Sequence, residues 1–316
     1  MKKILKLSVA LSCCLAAAPA LAFENDSAPY PVGTTSIGIA SLPPIPGIFL
    51  LDQTDVSGAG YLTDSHGNKK QIPPFKVHSV STTPRILISW PVTLPGNGRL
   101  YTQIVPPIVV LNTEVFGQKF HTAGVANFTI TPFLGQWNVT RNFKIASGFD
   151  FILPTGAYSA SKPAIASGYT TYSPVLSLRY NNPHGLDIGV SNRLFFNSTN
   201  TRTHYHSGDA YLADYIAGWN IGPVELGVTG GWLQEYQRDS QYGAAIPGSR
   251  QEIFRIGPSI TYSGRFLGKI PFIVNVNDQF DVISKNAPKE NNLWVNIGFP
   301  LFAPPPPPPA PPVHAS

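Results

Sequence analysis

The chain has 316 residues and a net charge of +5, with 12% charged residues and 28 Gly, 32 Pro, 18 Phe, 13 Tyr and 5 Trp. That excess of positive charge is too small to argue for nucleic acid, and Pro and Gly interrupt nearly every window of helical length. Beyond the first 22 residues no apolar run is long enough for a transmembrane helix, so a helical membrane protein is excluded too.

At the N-terminus Lys2, Lys3 and Lys6 precede a short apolar stretch from Leu7 to Ala18, and Ala20-Leu21-Ala22 forms a small-residue cleavage site before Phe23. This is the pattern of a secretory signal peptide covering residues 1–22. Its removal takes away three lysines, lowering the formal charge from +5 to +2. It also takes away Cys13 and Cys14, so the mature chain has no thiol for a disulfide or a metal site.

Twelve strand-like segments follow, near 47–62, 79–91, 99–112, 123–136, 141–153, 170–181, 186–197, 206–220, 223–236, 250–263, 269–280 and 293–302. Their common feature is alternation. In "GFDFILPTGAY" Phe149 and Phe151 share one face with Asp150 on the other, and the strand stops at Pro154 and Gly156. Tyr172, Pro174, Leu176, Leu178 and Tyr180 alternate with Ser173, Ser177 and Arg179, and Leu186, Ile188 and Val190 with Asp187, Gly189 and Ser191. Tyr211, Tyr215 and Trp219, Val224, Leu226 and Val228, and Phe254, Ile256 and Ile260 repeat the pattern.

Alternation alone suits a soluble sandwich as well as a membrane wall. Aromatic residues at both ends of the apolar faces, as in Tyr172 and Tyr180 or Tyr211 and Trp219, favour the wall. Such segments match the ~9–11 residues a tilted strand needs to cross a bilayer. Links at 182–185, around Gly222 and at 263–268 are tight, whereas 154–169, 198–205, 237–249 and 281–292 are read as longer polar loops. An all-β antiparallel transmembrane barrel of about 12 strands over residues 23–302 is the predicted fold, with short periplasmic turns, long external loops and both termini periplasmic.

The last segment, "LWVNIGFPLF", ends on Phe302, as barrel insertion signals do, and so implies the barrel-assembly machinery as a partner. The tail 303–316 is mostly proline, which lacks the amide donor a strand needs and favours a polyproline II spacer.

Three stretches, "FDFILPTGAY" (149–158), "YSPVLSLRYNNPHGLDIGVSNRLFFNSTNTRTHYHSGDAYLADYIAGWNI" (172–221) and "GVTGGWLQEYQRD" (227–239), resemble the outer-membrane proteins of the meta-pathway phenol-degradation type, the SphA-like transporter family. The resemblance implies a β-barrel in the outer membrane of a Gram-negative bacterium, taking up small apolar or aromatic solutes. It brings no cofactor and no catalytic residues.

Lys144, Asp150, Arg179, Asp187, Arg193, Asp214, Glu225 and Arg255 are the candidate lumen-lining residues, four of each sign. A strongly charge-selective pore would show one sign at its constriction. A mixed set fits ion pairs that brace the barrel, or a weakly selective polar path. Apolar Val175, Leu212, Ile216 and Ile273 on the same faces motivate a hydrophobic solute. The alternatives are a non-transporting structural or adhesion barrel and an outer-membrane lipid hydrolase. For a hydrolase the best local candidates, His206 and Ser207, are adjacent and point to opposite faces of an extended chain. His204 and His206 share a face, a pairing as well explained by a polar rim as by a metal.

Overall fold

In the computed structural model the described residues are 23–24, 28–71, 74–115, 117–160 and 162–304. The predicted signal peptide and most of the predicted proline tail lie outside them.

The strands are β1 (Gly47–Leu62), β2 (Phe75–Leu94), β3 (Gly98–Val105), β4 (Ile108–Val115), β5 (Gln118–Val125), β6 (Phe128–Asn138), β7 (Phe143–Leu153), β8 (Thr171–Asn181) and β9 (Leu186–Asn197). They continue with β10 (Tyr205–His206), β11 (Ala210–Ile221), β12 (Val224–Glu235), β13 (Ser240–Gln241), β14 (Ala244–Ala245), β15 (Glu252–Phe266), β16 (Ile270–Lys285) and β17 (Pro288–Phe302). Each wall strand pairs antiparallel with its neighbours, and β1 pairs with both β2 and β17, which closes a barrel of twelve strands.

Closure leaves the wall without an edge. The hairpin β4–β5 is an extension of that wall. Pro106 and Pro107 interrupt the ladder between β3 and β4 because proline has no N–H to give. Beyond them the hairpin pairs with residues 75–82 of β2, at the opposite end of β2 from the β2–β3 turn. The 154–170 loop meets its other side, where Thr122 Oγ1 donates to Pro163 O (3.2 Å).

One mouth of the barrel carries tight turns, at 95–97, 139–142, 182–185, 222–223 and 267–269. Gly222 has φ +60° in the two-residue turn ahead of Pro223, a region where a side chain would be strained. The other mouth carries the longer loops, two of which meet in a small sheet of β10, β13 and β14. The predicted loop at 281–292 is instead strand on both sides of a two-residue link, Asn286-Ala287. Strands on this side rise past the apolar belt, so polar residues such as Glu290 and Asn291 continue the ladder rather than ending it.

The two faces are sorted in the sense opposite to that of a soluble barrel. Leu176, Ile188, Leu226, Ile260 and Leu293 are exposed on the outer wall, each more than 40% accessible. Ser173, Ser177, Ser191, Thr229 and Asn275, at most 6% accessible, face inward. Such a continuous apolar exterior is stable only against lipid. Tyr172, Phe196 and Trp232 ring the loop end of that exterior, and Tyr180, Trp219 and Tyr262 the turn end. Asp150 is 1% accessible and inward, while Phe149 is exposed outward.

Within the barrel lies a segment that the strand pattern gave no means to place. Residues 28–46 run down the lumen from the loop mouth to Gly47 at the turn mouth. Phe23 packs at the loop mouth among Ile152, Phe195, Leu212 and Leu233. The strand count correctly puts the start of β1 beside the end of β17. The described residues do not start and stop on one side, however, because the segment ahead of β1 threads back through the barrel. The described chain therefore begins at one mouth and ends at the other.

The outward register is testable at the middle of β8. Leu176→Arg should cost about 2–4 kcal/mol of folding stability in lipid vesicles, since it puts a cation near the bilayer midplane. Ser177→Ala, which removes an inward bond from Ser177 to Ser191 (2.8 Å), should cost only ~1 kcal/mol. Urea titration of the two variants checks the difference.

Candidate functional site: the lumen and the segment that fills it

Residues 28–46 have no strand partner and no charged side chain. Their backbone donors and acceptors must still be satisfied, because an unpaired buried amide or carbonyl costs about as much as a lost hydrogen bond. Lumen side chains supply the partners, beginning with Asp214. Its carboxylate accepts the N–H of Gly33 (2.7 Å) and of Thr35 (3.0 Å). Gly231 makes that approach possible, since a Cβ there would sit 2.6 Å from Asp214 Oδ1 and 2.8 Å from Gly33 N.

Amides and guanidinium groups take the carbonyls. Gln53 Nε2 donates to Thr34 O (2.6 Å) and Gln279 Nε2 to Gly33 O (3.2 Å). Arg179 Nη1 donates to Ile37 O (2.9 Å) and Ile39 O (3.2 Å). Nearer the turn mouth, Leu42 N donates to Gln136 Oε1 (3.0 Å) and Tyr101 OH to Pro43 O (2.9 Å).

The charges that perform this work are themselves paired. Arg179 forks onto Asp187, Nε to Oδ1 at 2.8 Å and Nη2 to Oδ2 at 2.6 Å, with Glu225 3.7 Å away. Arg193 faces Asp150 at 3.3 Å, donates to Thr35 Oγ1 (2.9 Å), and stacks 4.4 Å from the centre of the Tyr30 ring. Arg85 Nη2 donates to the Tyr30 hydroxyl (2.7 Å).

The apolar side chains of the segment pack on those of the wall. Ile37 and Ile39 pack on Ile216 with Leu51 and Ile273, and Ala40 on Leu87, Tyr101 and Leu134. Tyr30 and Val32 join Phe23 and Leu212 at the loop mouth. Between the segment and Arg85, Gln103, Asp150, Val175 and Arg193 there is a cavity of only about 30 Å³. That is room for a water, not for a solute.

Of the sequence candidates, Asp150, Arg179, Asp187, Arg193, Asp214 and Glu225 are buried in one cluster around the segment. Arg255 is buried elsewhere, bridging Asp281 (2.7 Å) and Glu290 (3.0 Å) across β15, β16 and β17. Lys144 is half-buried toward the turn mouth. It is not the partner of Asp150: six residues along a strand is ~20 Å, and Arg193, two strands away, reaches Asp150 instead. The four apolar candidates also face inward, but Leu212, Ile216 and Ile273 are covered by the segment.

Sequence reasoning missed the segment itself and its uncharged partners Gln53, Tyr101, Gln136 and Gln279. The available signal was a charge-free run, "APYPVGTTSIGIASLPPIPG" (28–47), outside any alternating strand. A stretch that apolar in a chain that must keep its loops wet has to be buried.

The hydrolase and metal candidates take other roles. Ser207 Oγ accepts the N–H of Glu24 (3.1 Å), and His206 Nδ1 faces Thr199 at 3.5 Å. His204 lies against the ring of Tyr242, centroids 4.8 Å apart. Among the described residues no group of three or more His, Cys, Asp or Glu could hold a metal.

A closed twelve-stranded wall, apolar outside and polar inside, defines an outer-membrane β-barrel. The chain belongs to the family described as "Putative MetA-pathway of phenol degradation", which matches residues 52–297. Its fold is shared with an outer membrane channel from Pseudomonas putida F1 (16% identity, TM-score 0.71, 82% of this chain and 96% of that one). Looser likeness extends to the translocator domain of the autotransporter NalP from Neisseria meningitidis (11% identity, TM-score 0.47, 83% and 91%). It extends also to a FadL homologue from Pseudomonas aeruginosa (8% identity, TM-score 0.40, 86% and 99%). No curated protein matches the chain.

The clamp at Asp214 predicts its own failure. Asp214→Ala strands two buried N–H groups, each worth ~1.5–3 kcal/mol when bonded to a charge. About 3 kcal/mol shifts the balance between seated and released segment by roughly 100-fold. Single-channel recording should show Asp214→Ala far more often open than the parent barrel.

Proposed function

We propose that this chain is an outer-membrane channel for the passive uptake of small hydrophobic or aromatic compounds, gated by its own N-terminal segment. One observation carries the reading: the lumen is occupied by a stretch of the same chain held through hydrogen bonds and packing. A permanent brace would be better built from strands, whereas a non-covalent plug can leave and return. When it leaves, Leu212, Ile216, Ile273 and Val175 become free to meet an apolar solute, and the paired charges around them present no single-sign barrier.

The relationship to an outer membrane channel of the same fold supports this reading, as does the family's description. In this orientation the tight turns and the end of β17 are periplasmic, and the long loops and Phe23 are external. Lipid contacts the outer wall, and the aromatic end of β17 addresses the assembly machinery. No cofactor or energy source enters the scheme.

The test is uptake of radiolabelled naphthalene by Gram-negative cells with an intact lipopolysaccharide leaflet. Cells carrying the barrel should accumulate it several-fold faster than cells without it, while a sugar of similar size gains less. Equal naphthalene uptake, with the barrel present in the outer membrane and its mobility heat-modifiable on gels, would leave a structural barrel instead.

A further inference from the structure

At the loop mouth the start of the segment meets two carboxylates that have no cation. Asp239, fully buried, accepts the N–H of Phe23, the N–H of Gly208 (2.6 Å) and the hydroxyl of Tyr205 (2.6 Å). Glu235, also fully buried, shares a side-chain hydrogen bond with Asp239; its Oε2 accepts Gln251 N (2.6 Å) and its Oε1 takes no donor from the rest of the described chain. Among the described residues neither carboxylate forms an ion pair with Lys, Arg or His, and the nearby Arg250 is exposed. Burial holds the Asp239 carboxyl above the usual carboxylate range. Two buried acids without a cation are an unbalanced arrangement.

Phe23 adds a second, independent sign. Its φ of +48° lies in the left-handed region, where a side chain clashes with the flanking peptide units. That constraint disappears if Phe23 is the first residue, for then no peptide bond precedes its nitrogen. Its side chain is nevertheless fully buried in the apolar cluster, and Glu24 next to it is fixed by Tyr158 (2.6 Å), Asn200 (2.7 Å) and Thr203 (2.6 Å).

We infer that cleavage after Ala22 turns the nitrogen of Phe23 into an α-ammonium that seats on Asp239 and Glu235, so that the pocket is a binding site for the chain's own mature N-terminus. The step is hydrolysis of the Ala22–Phe23 peptide bond: water supplies the hydroxyl to the Ala22 carboxyl, and the Phe23 amine takes up a proton. The ammonium brings three N–H donors where the peptide brought one, enough for Asp239 and Glu235 together. The plug is thereby latched at its tip only in processed chains. The inference rests on the signal-peptide reading of residues 1–22, and not on what the channel transports.

The test uses the full barrel purified from outer membranes. Mass spectrometry of its N-terminal peptide identifies the first residue, and acetylation with limiting acetic anhydride at neutral pH times the α-amine. In the parent the Phe23 amine should react at least about tenfold more slowly than in Asp239→Asn/Glu235→Gln, as a pKa raised by one unit alone would give. Inserting Gly-Ser between Ala22 and Phe23 displaces the ammonium with both carboxylates intact, and should speed acetylation equally. A first residue other than Phe23 would overturn the inference together with the cleavage reading. Phe23 in first place with equal rates in all three proteins would overturn the latch and leave the cleavage reading standing.

Discussion

The structure depends on satisfying the backbone of a stretch that belongs to no strand. Once residues 28–46 enter the barrel, their N–H and C=O groups cannot reach the lumen wall's backbone, which is spent on its own ladders. Side chains must stand in for it. This explains why the interior carries Asp214 aimed at two amides and Arg179 aimed at two carbonyls, with glutamines and a tyrosine meeting four more groups and Gly38 and Ile39 bonding within the segment. It also explains the glycine at 231, where any larger residue would push the segment off Asp214.

The same requirement settles the mixture of charges. A guanidinium committed to two carbonyls is still a buried cation and needs a counter-charge, which Asp187 gives to Arg179 and Asp150 gives to Arg193. The wall charges thus serve the wall and the plug together, as one network. Arg255 shows the wall-only case, tied to Asp281 and Glu290 on the next two strands. A lumen built this way is occupied without being inert, since every bond to the segment can be exchanged for one to water.

What was legible in the sequence was whatever repeats with period two. Alternation such as Leu186-Asp187-Ile188 reveals a strand, its two faces and, with the flanking aromatics, the lipid side. The candidates Arg179, Arg193 and Asp214 were legible because each breaks an otherwise small or neutral inner face. Their partners were not, because pairing crosses the barrel: Asp150 meets Arg193 over an intervening strand, and Asp214 meets Gly33, 181 residues earlier. The segment was invisible to periodicity because it has none, and the 281–292 ladder was hidden because strands beyond the membrane no longer need an apolar face.

On the function proposed above, the barrel opens only when the segment moves. No cysteine follows Cys13 and Cys14 in the sequence, so within the barrel an introduced pair has no competitor. A Cβ at Gly189 would lie 3.0 Å from Cγ2 of Ile39, which puts the two Cβ atoms within the ~3.5–4.5 Å that a disulfide spans. Single-channel recording of Ile39→Cys/Gly189→Cys, oxidised and then reduced in the same bilayer, is the most direct measurement. The account predicts a barrel that stays shut while the bridge holds and opens as the parent does after reduction; openings of equal size and frequency in the oxidised state would contradict it.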